Sequence, residues 1–181
     1  MAADTKITAF NLAEGATAER KMLSLWYEDT SGESSSYEII GYRVEDSSME
    51  TSWSNDEDKT DIIGSAYGTL GAPVITQNLS DWSIIGGNKL QVALHNDMRY
   101  NNFANLAGGY KFIIVYHYAG TADTAMQAER YPACKVKVNS LGGSTETNLD
   151  VDITFGGQKE IGTAAIAAGV LTFTKTEYPT E

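Results

Sequence analysis

Residues 111–118 read Lys-Phe-Ile-Ile-Val-Tyr-His-Tyr, the strongest buried-strand signal in the chain. A short run of β-branched and aromatic side chains between turn residues suits a strand inside a core. Period-two alternation recurs on either side of it. Cys134, Val136 and Val138 alternate with Lys135 and Lys137. Leu149, Val151, Ile153 and Phe155 alternate with Asp150, Asp152 and Thr154. Each pattern is that of a strand buried on one face and wet on the other.

The first half carries weaker versions of the same signal. Met22, Leu23, Leu25 and Trp26 open a strand that ends at Tyr27 and Glu28, and residues 29–36 are a polar turn. A second strand spans 37–43, and residues 44–54 continue extended. There Met49, Thr51 and Trp53 alternate with Ser48, Glu50 and Ser52, so one face can be buried. Residues 55–59, Asn-Asp-Glu-Asp-Lys, read as a hairpin tip, and 60–64 begin the return. The glycine-rich stretch 64–73 reads as flexible. Residues 74–77 and 82–85 are short strands separated by Asn78 and Asp81.

One helix is expected after Gly86 and Gly87. Asn88 caps it, Leu90, Ala93, Leu94 and Met98 share a face, and Gln91, Asp97 and Arg99 lie off that face. Gly108 and Gly109 stop the pattern. After a turn at 119–124, residues 125–131 begin another strand, and Pro132 marks an edge or bulge. A short strand at 159–162 and a last one at 170–174 complete the set. Residues 1–20 are expected as a mobile arm with a short strand at 6–10, and 175–181 as a tail. The fold class is mostly β: one domain, a sandwich or partly closed barrel, with one flanking α-helix and a long projecting hairpin.

Thirteen Lys and Arg face 24 Asp and Glu, a formal net charge of -11. Such a chain has no general attraction for nucleic acid or an anionic membrane. That argues against a DNA-binding protein and is no objection to a conduit, which should not hold its cargo. The single cysteine, Cys134, rules out an intrachain disulfide, so folding in a reducing cytoplasm is the simpler reading. Residues 1–20 lack the basic start and apolar core of a secretory signal, and no apolar run is long enough for a membrane helix.

Chemical motifs are weak. The acids Asp56, Glu57, Asp58 and Asp61 fail the calcium-loop pattern, since Asp61 and Tyr67 stand where Gly and Glu belong. His95, His117 and Cys134 have no close metal-ligand spacing and no local nucleophile motif. Gly86-Gly87-Asn88-Lys89 is followed by Leu90, not the Ser or Thr of a phosphate loop. Asp150 and Asp152 lie about 7 Å apart on one strand face, the solvent side of an alternating strand. No catalytic residue, metal site or cofactor is expected.

Three stretches carry a resemblance. The first is Glu38-Ile-Ile-Gly-Tyr-Arg-Val-Glu-Asp-Ser-Ser-Met-Glu, running on to Asp61-Ile-Ile-Gly64. The second is 97–118, an Asn-rich helical segment leading into Lys111-Phe-Ile-Ile-Val-Tyr. The third is Ala128-Glu-Arg-Tyr-Pro-Ala-Cys-Lys-Val-Lys-Val, then Leu141-Gly-Gly, then 153–163, Ile-Thr-Phe-Gly-Gly-Gln-Lys-Glu-Ile-Gly-Thr. In order and spacing they resemble the major tail tube proteins of long-tailed (siphovirus-type) bacteriophages. The resemblance implies a structural virion protein, made and assembled in the host cytoplasm and located in the phage tail. It implies hexameric rings of this chain, stacked around a tape-measure protein with other tail proteins, through which DNA passes as non-specific cargo. In that family a long hairpin from each subunit helps build a continuous inner barrel, and a similar fold serves contractile injection machines.

On that reading Met49, Thr51, Trp53, Asn55, Asp56, Glu57, Asp58 and Lys59 form the inter-subunit hairpin. Glu45, Glu50, Asp150 and Asp152 are the candidate lumen-facing acids. No membrane binding is expected. The alternative is a β-sandwich binding module, for a sugar or as a virion decoration, using surface aromatics. Against it, Trp26, Trp53 and Trp82 are scattered along the chain.

Overall fold

The computed structural model of the protein describes residues 6–44, 47–54 and 57–177. In chain order the elements are β1 (Leu23–Asp29), β2 (Ser36–Ile40), β3 (Met49–Trp53), β4 (Glu57–Thr60), β5 (Ala66–Thr69) and β6 (Pro73–Ser83). Then come α1 (Lys89–Arg99), α2 (Phe103–Gly108), β7 (Tyr110–Thr121), β8 (Ala125–Gly142), β9 (Asn148–Thr154), β10 (Glu160–Ala167) and β11 (Val170–Lys175). Nine strands join in one antiparallel system, with β4 and β5 forming a separate pair. The mostly β class is therefore as expected.

The architecture turns on β8. Its first half pairs with β7 on one side and β10 on the other, and its second half pairs with β9. One sheet thus runs β2-β1-β7-β8-β10-β11 and a second runs β8-β9-β6-β3. Sequence alternation suggests two strands here, interrupted at Pro132; the chain instead makes a single 18-residue strand. Pro132 sits inside it, between the residues paired with β10 and those paired with β9. Its missing N–H is no loss at an irregularity of this kind.

The alternation slips by one residue at that point. Met126 and Ala128 enter one apolar cluster, while Tyr131, Cys134 and Val136 enter another. The larger cluster lies between the two sheets and under α1, and holds Leu79, Trp82, Leu90, Leu94, Phe112, Val151 and Ile153. The smaller cluster lies on the far face of the first sheet, around Trp26, Ile113, Val115, Ala164 and Leu171. There β11 comes back against β2. β7 separates the clusters, with Phe112 and Ile114 on one side and Ile113 and Val115 on the other, all fully buried. A strand covered on both faces has no polar side to alternate with. That accounts for the continuous apolar run at 111–118.

Several expected elements differ. β2 ends at Ile40, and Gly41 (φ +120°) and Arg43 (φ +57°) turn the chain away. β2 and β3 therefore sit at opposite ends of the strand path, not in one extended segment. Residues 74–77 and 82–85 do not form separate strands. β6 spans Pro73–Ser83, with a bulge at Asp81, whose φ is +48°. No strand forms at 6–10. Phe10 instead packs edge-to-face on Tyr118, and Asn11 bonds to the end of β7 through its N–H to the Tyr118 carbonyl. The tail loses Lys175 to β11.

The capped helix is present, with the Asn88 side chain accepting from the Gln91 N–H. Gln91 itself is buried, contrary to expectation. Its Oε1 accepts from the Ile85 N–H and its Nε2 donates to the Ser83 carbonyl, closing the loop before the helix. A second short helix, α2, follows. Asp97 joins the two, accepting from Asn102, Asn105 and the Tyr110 hydroxyl.

An ion-pair network ties β1, β8, β10 and β11 together. Arg130 donates twice to Glu28 (2.6 and 3.1 Å) and once to Glu160 (2.6 Å), and Lys175 donates to Glu160 (2.7 Å). The Glu28 side chain is only 4% exposed. Removing one member of a buried pair strands the other charge. Arg130→Ala is therefore expected to cost about 3–5 kcal/mol of unfolding free energy in urea titrations. Arg130→Met with Glu28→Gln should recover most of it. Hydrogen bonds from Lys175 and then Arg130 also hold Glu160 below its ordinary value of 4.5. The folded state then binds fewer protons than the unfolded one, so this stabilisation is present above about pH 4.5 and lost as pH falls below it. Lys175→Ala should shallow that acid limb.

Candidate functional site

The hairpin expected over 44–63 pairs differently: β3 pairs with β6 and β4 with β5, a ribbon whose described residues are 49–54 and 57–77. At its base β3 pairs with β6, Met49 opposite Gln77 and Trp53 opposite Pro73. Gly71 continues the pairing, its N–H bonding to the Ser54 carbonyl at 2.6 Å. A Cβ at position 71 would lie 2.5 Å from that carbonyl oxygen, so only glycine allows the strands to approach this closely. Further out, β4 and β5 pair from Glu57–Thr69 to Thr60–Ala66.

The tip is not at 55–59. Glu57, Asp58 and Lys59 lie on β4, and the turn is at 61–65; Asn55 and Asp56 lie outside the described residues. The Asp61 carboxylate accepts from the N–H groups of Ile63 (3.0 Å) and Ser65 (2.8 Å), and the Gly64 N–H bonds to the Asp61 carbonyl. An aspartate that bonds the backbone two residues on stabilises a turn without help from a core. The stretch read as flexible, 64–73, contains β5.

One face of the ribbon begins as core. Met49 and Ile75, on the same face, pack against the larger cluster. Further out that face opens: Thr51 is exposed and Trp53 is 49% exposed. The burial predicted for Met49, Thr51 and Trp53 is therefore only begun among the described residues, where Met49 packs on the core and Thr51 and Trp53 are exposed. Ile62 (104%) and Ile63 (83%) at the tip, with Tyr67, Leu70 and Val74, add further exposed apolar surface. The sequence reading missed these residues. An Ile-Ile pair between Asp61 and Gly64 was the available signal, since turn residues on both sides leave no room for burial in a strand.

Three of the candidate acids share a surface. Glu50 on β3 and Asp150 and Asp152 on β9 lie on the polar face of the second sheet; Glu45 lies outside the described residues. Asp152 accepts from Asn139 (2.6 Å) and Asn78 (2.7 Å), and Lys137 stands directly opposite it. Asp150 accepts from the Asp81 N–H (2.9 Å) and Ser140 (2.8 Å). These bonds hold both carboxyls below the ordinary 3.8, led by Asn139 for Asp152 and by the Asp81 N–H for Asp150. Lys135 and Lys137 sit among them, so the face mixes charges and is not purely acidic.

A nucleophile–base geometry appears elsewhere. Ser24 Oγ and His117 Nε2 are 2.7 Å apart, and Trp26 Nε1 donates to Ser24 Oγ (2.9 Å). Which of Ser24 and His117 donates depends on the imidazole tautomer, since the Ser24 oxygen can accept from both the indole and the ring. Burial lowers the His117 pKa and favours the neutral ring. The ring's Nδ1 makes no hydrogen bond among the described residues, so the orienting third group of a triad is missing there. Burial raises the Cys134 thiol to about 11. Among the described residues no three His, Cys, Asp or Glu converge to hold a metal ion, and no helix is long and apolar enough to cross a membrane. Trp26 and Trp82 are buried, which leaves Trp53 as the tryptophan at the surface.

No protein-family model matches the chain, and no curated protein matches its sequence.

The carboxylates give a direct check. Replacing Asn139 and Asn78 by Ala should raise the Asp152 pKa toward 3.8, observed as a shifted carboxyl titration by NMR. Asp150, held by other donors, should move little.

Proposed function

We propose that this chain is a structural subunit that assembles with copies of itself, of the tail tube type. It forms hexameric rings that stack into the tail conduit of a long-tailed bacteriophage. The observation that carries this reading is the ribbon face that starts inside the core at Met49 and Ile75 and runs out uncovered through Trp53. A soluble monomer gains nothing by extending an apolar strand face into water. An assembling subunit buries it against a neighbour, and the ribbon edges add backbone pairing to that contact.

The finer fold supports the same reading. Return of β11 onto β2 suits a partly closed barrel, and β8 shared by both sheets suits one domain over 1–181. The polar face of the second sheet is the surface for the bore, with Glu50, Asp150 and Asp152 presented together. The carboxylates Glu50, Asp150 and Asp152 outnumber the bases Lys135 and Lys137 on this face, so it offers passing phosphates no net positive charge. The overall charge of -11 adds long-range repulsion of DNA. Tape-measure and other tail proteins are the further partners of this reading, in a virion assembled in the host cytoplasm.

Negative-stain electron microscopy over a concentration series, with light scattering for mass, tests the proposal. Rings or hollow tubes are expected, and a monomer at every concentration counts against it. Trp53→Asp should abolish assembly while leaving the far-ultraviolet circular dichroism and melting temperature near wild type. A collapse of the fold would instead make Trp53 a core residue.

A further inference from the structure

A cavity of about 560 Å³ lies between the two sheets, at the edge of the larger cluster. Leu23 and Leu25 of β1 and Ile39 and Ile40 of β2 form one wall, and Gln77 and Leu79 of β6 form the other. The size falls within the range of ligand pockets, roughly 300–1,000 Å³, and so does the chemistry: mostly apolar walls with few polar groups.

One of those polar groups is unspent. Gln77 stands opposite Met49 on β3 and Ile153 on β9, both packed in the larger cluster, so its side chain turns inward between the sheets. The residue is 3% exposed. Its Nε2 donates to the Ser47 hydroxyl (2.8 Å), while its Oε1 has no hydrogen-bond partner among the described residues. Gln91, also buried, has both ends of its amide bonded. A buried amide oxygen without a donor is costly, and a bound donor removes that cost.

The rim does not ask for a charged ligand. Arg20 donates to the Leu23 carbonyl (2.7 Å) and Lys21 pairs with Glu19 (2.6 Å), so both bases are engaged in a chain whose net charge is -11. No carboxylate lines the cavity among the described residues. The Ser24 hydroxyl is taken up by His117 and Trp26. We propose that the cavity binds a neutral, mostly apolar small molecule carrying one N–H or O–H, with that donor on Gln77 Oε1. A water molecule would satisfy the oxygen and leave the apolar walls wet, whereas an apolar body bearing the donor covers both. A peptide strand has no free edge to join at Leu25, which already pairs with Ile40 on one side and Ile114 on the other. The inference does not depend on the assembly reading, because ring formation and ligand binding are measured separately.

The test is a fluorescence titration of the full chain with N-phenyl-naphthylamine, a neutral probe with one N–H, beside its N-methyl form, which has no donor. Wild type should bind the N–H probe saturably, one per chain, and about fivefold more tightly than the N-methyl form, the effect of one neutral hydrogen bond. Methyl-resolved NMR should place the bound probe at Leu25, Ile40 and Leu79. Gln77→Leu should bind the two probes equally, with an unfolding midpoint near wild type. Absence of saturable binding overturns the site, as do shifts confined to Leu94 and Leu149 beside α1. Equal affinities in wild type, or a preference that survives Gln77→Leu, overturn the part given to the Gln77 oxygen. If Gln77→Leu fails to fold, the two probes on wild type, with the NMR shifts, still decide the matter.

Discussion

The phase slip at Pro132 is the constraint on which the other elements depend. Before it, alternate side chains of β8 fill the cluster around Trp26; after it, they fill the cluster around Phe112. A strand that kept its phase would turn Cys134 and Val136 to solvent and Lys135 and Lys137 into the core, because one residue of slip exchanges the faces. With the slip, one strand serves two sheets, and β7 is sealed between two apolar clusters. The Arg130 network lies just before the slip and joins β8 to β1 and β10 where their partners diverge.

The ribbon follows from the same arrangement. β6 pairs with β9 along its later part, which anchors it in the second sheet, while its first residues pair with β3 alone. Beyond Trp53 the described residues of β4 and β5 are all exposed. The outer ribbon is therefore held by its own hydrogen bonds, by the Gly71–Ser54 contact and by the Asp61 turn. On the assembly reading proposed above, such locally hydrogen-bonded geometry exists before a partner arrives, and the apolar surface remains to be covered.

The polar face of the second sheet is chemically quieter than its acids alone suggest. Asp150 and Asp152 are oriented by asparagine, serine and a backbone N–H, and lysines sit among them. Groups already satisfied by the sheet have little capacity left for a ligand. On the conduit reading proposed above, this suits a surface past which charged cargo moves. The Ser24–His117 pair is held in place by the Trp26 indole, which donates to the Ser24 hydroxyl.

Local pattern was enough to identify the mostly β class, the buried run at 111–118, the alternating strands around Val136 and Val151, and the Asn88-capped helix. Each depends on neighbours a few residues apart, through side-chain period or a cap. The polar face of Asp150 and Asp152 was legible for the same reason. Long-range pairing was not. That Pro132 lies within a strand, that Gln91 is buried to close a loop, and that the hairpin turns at Asp61 and not at the denser acids before it all depend on which strand lies alongside. Sequence alone determined which residues have a face to bury. Tertiary structure decided where that face is covered, and it left Trp53, Ile62 and Ile63 open because the second sheet ends at β3.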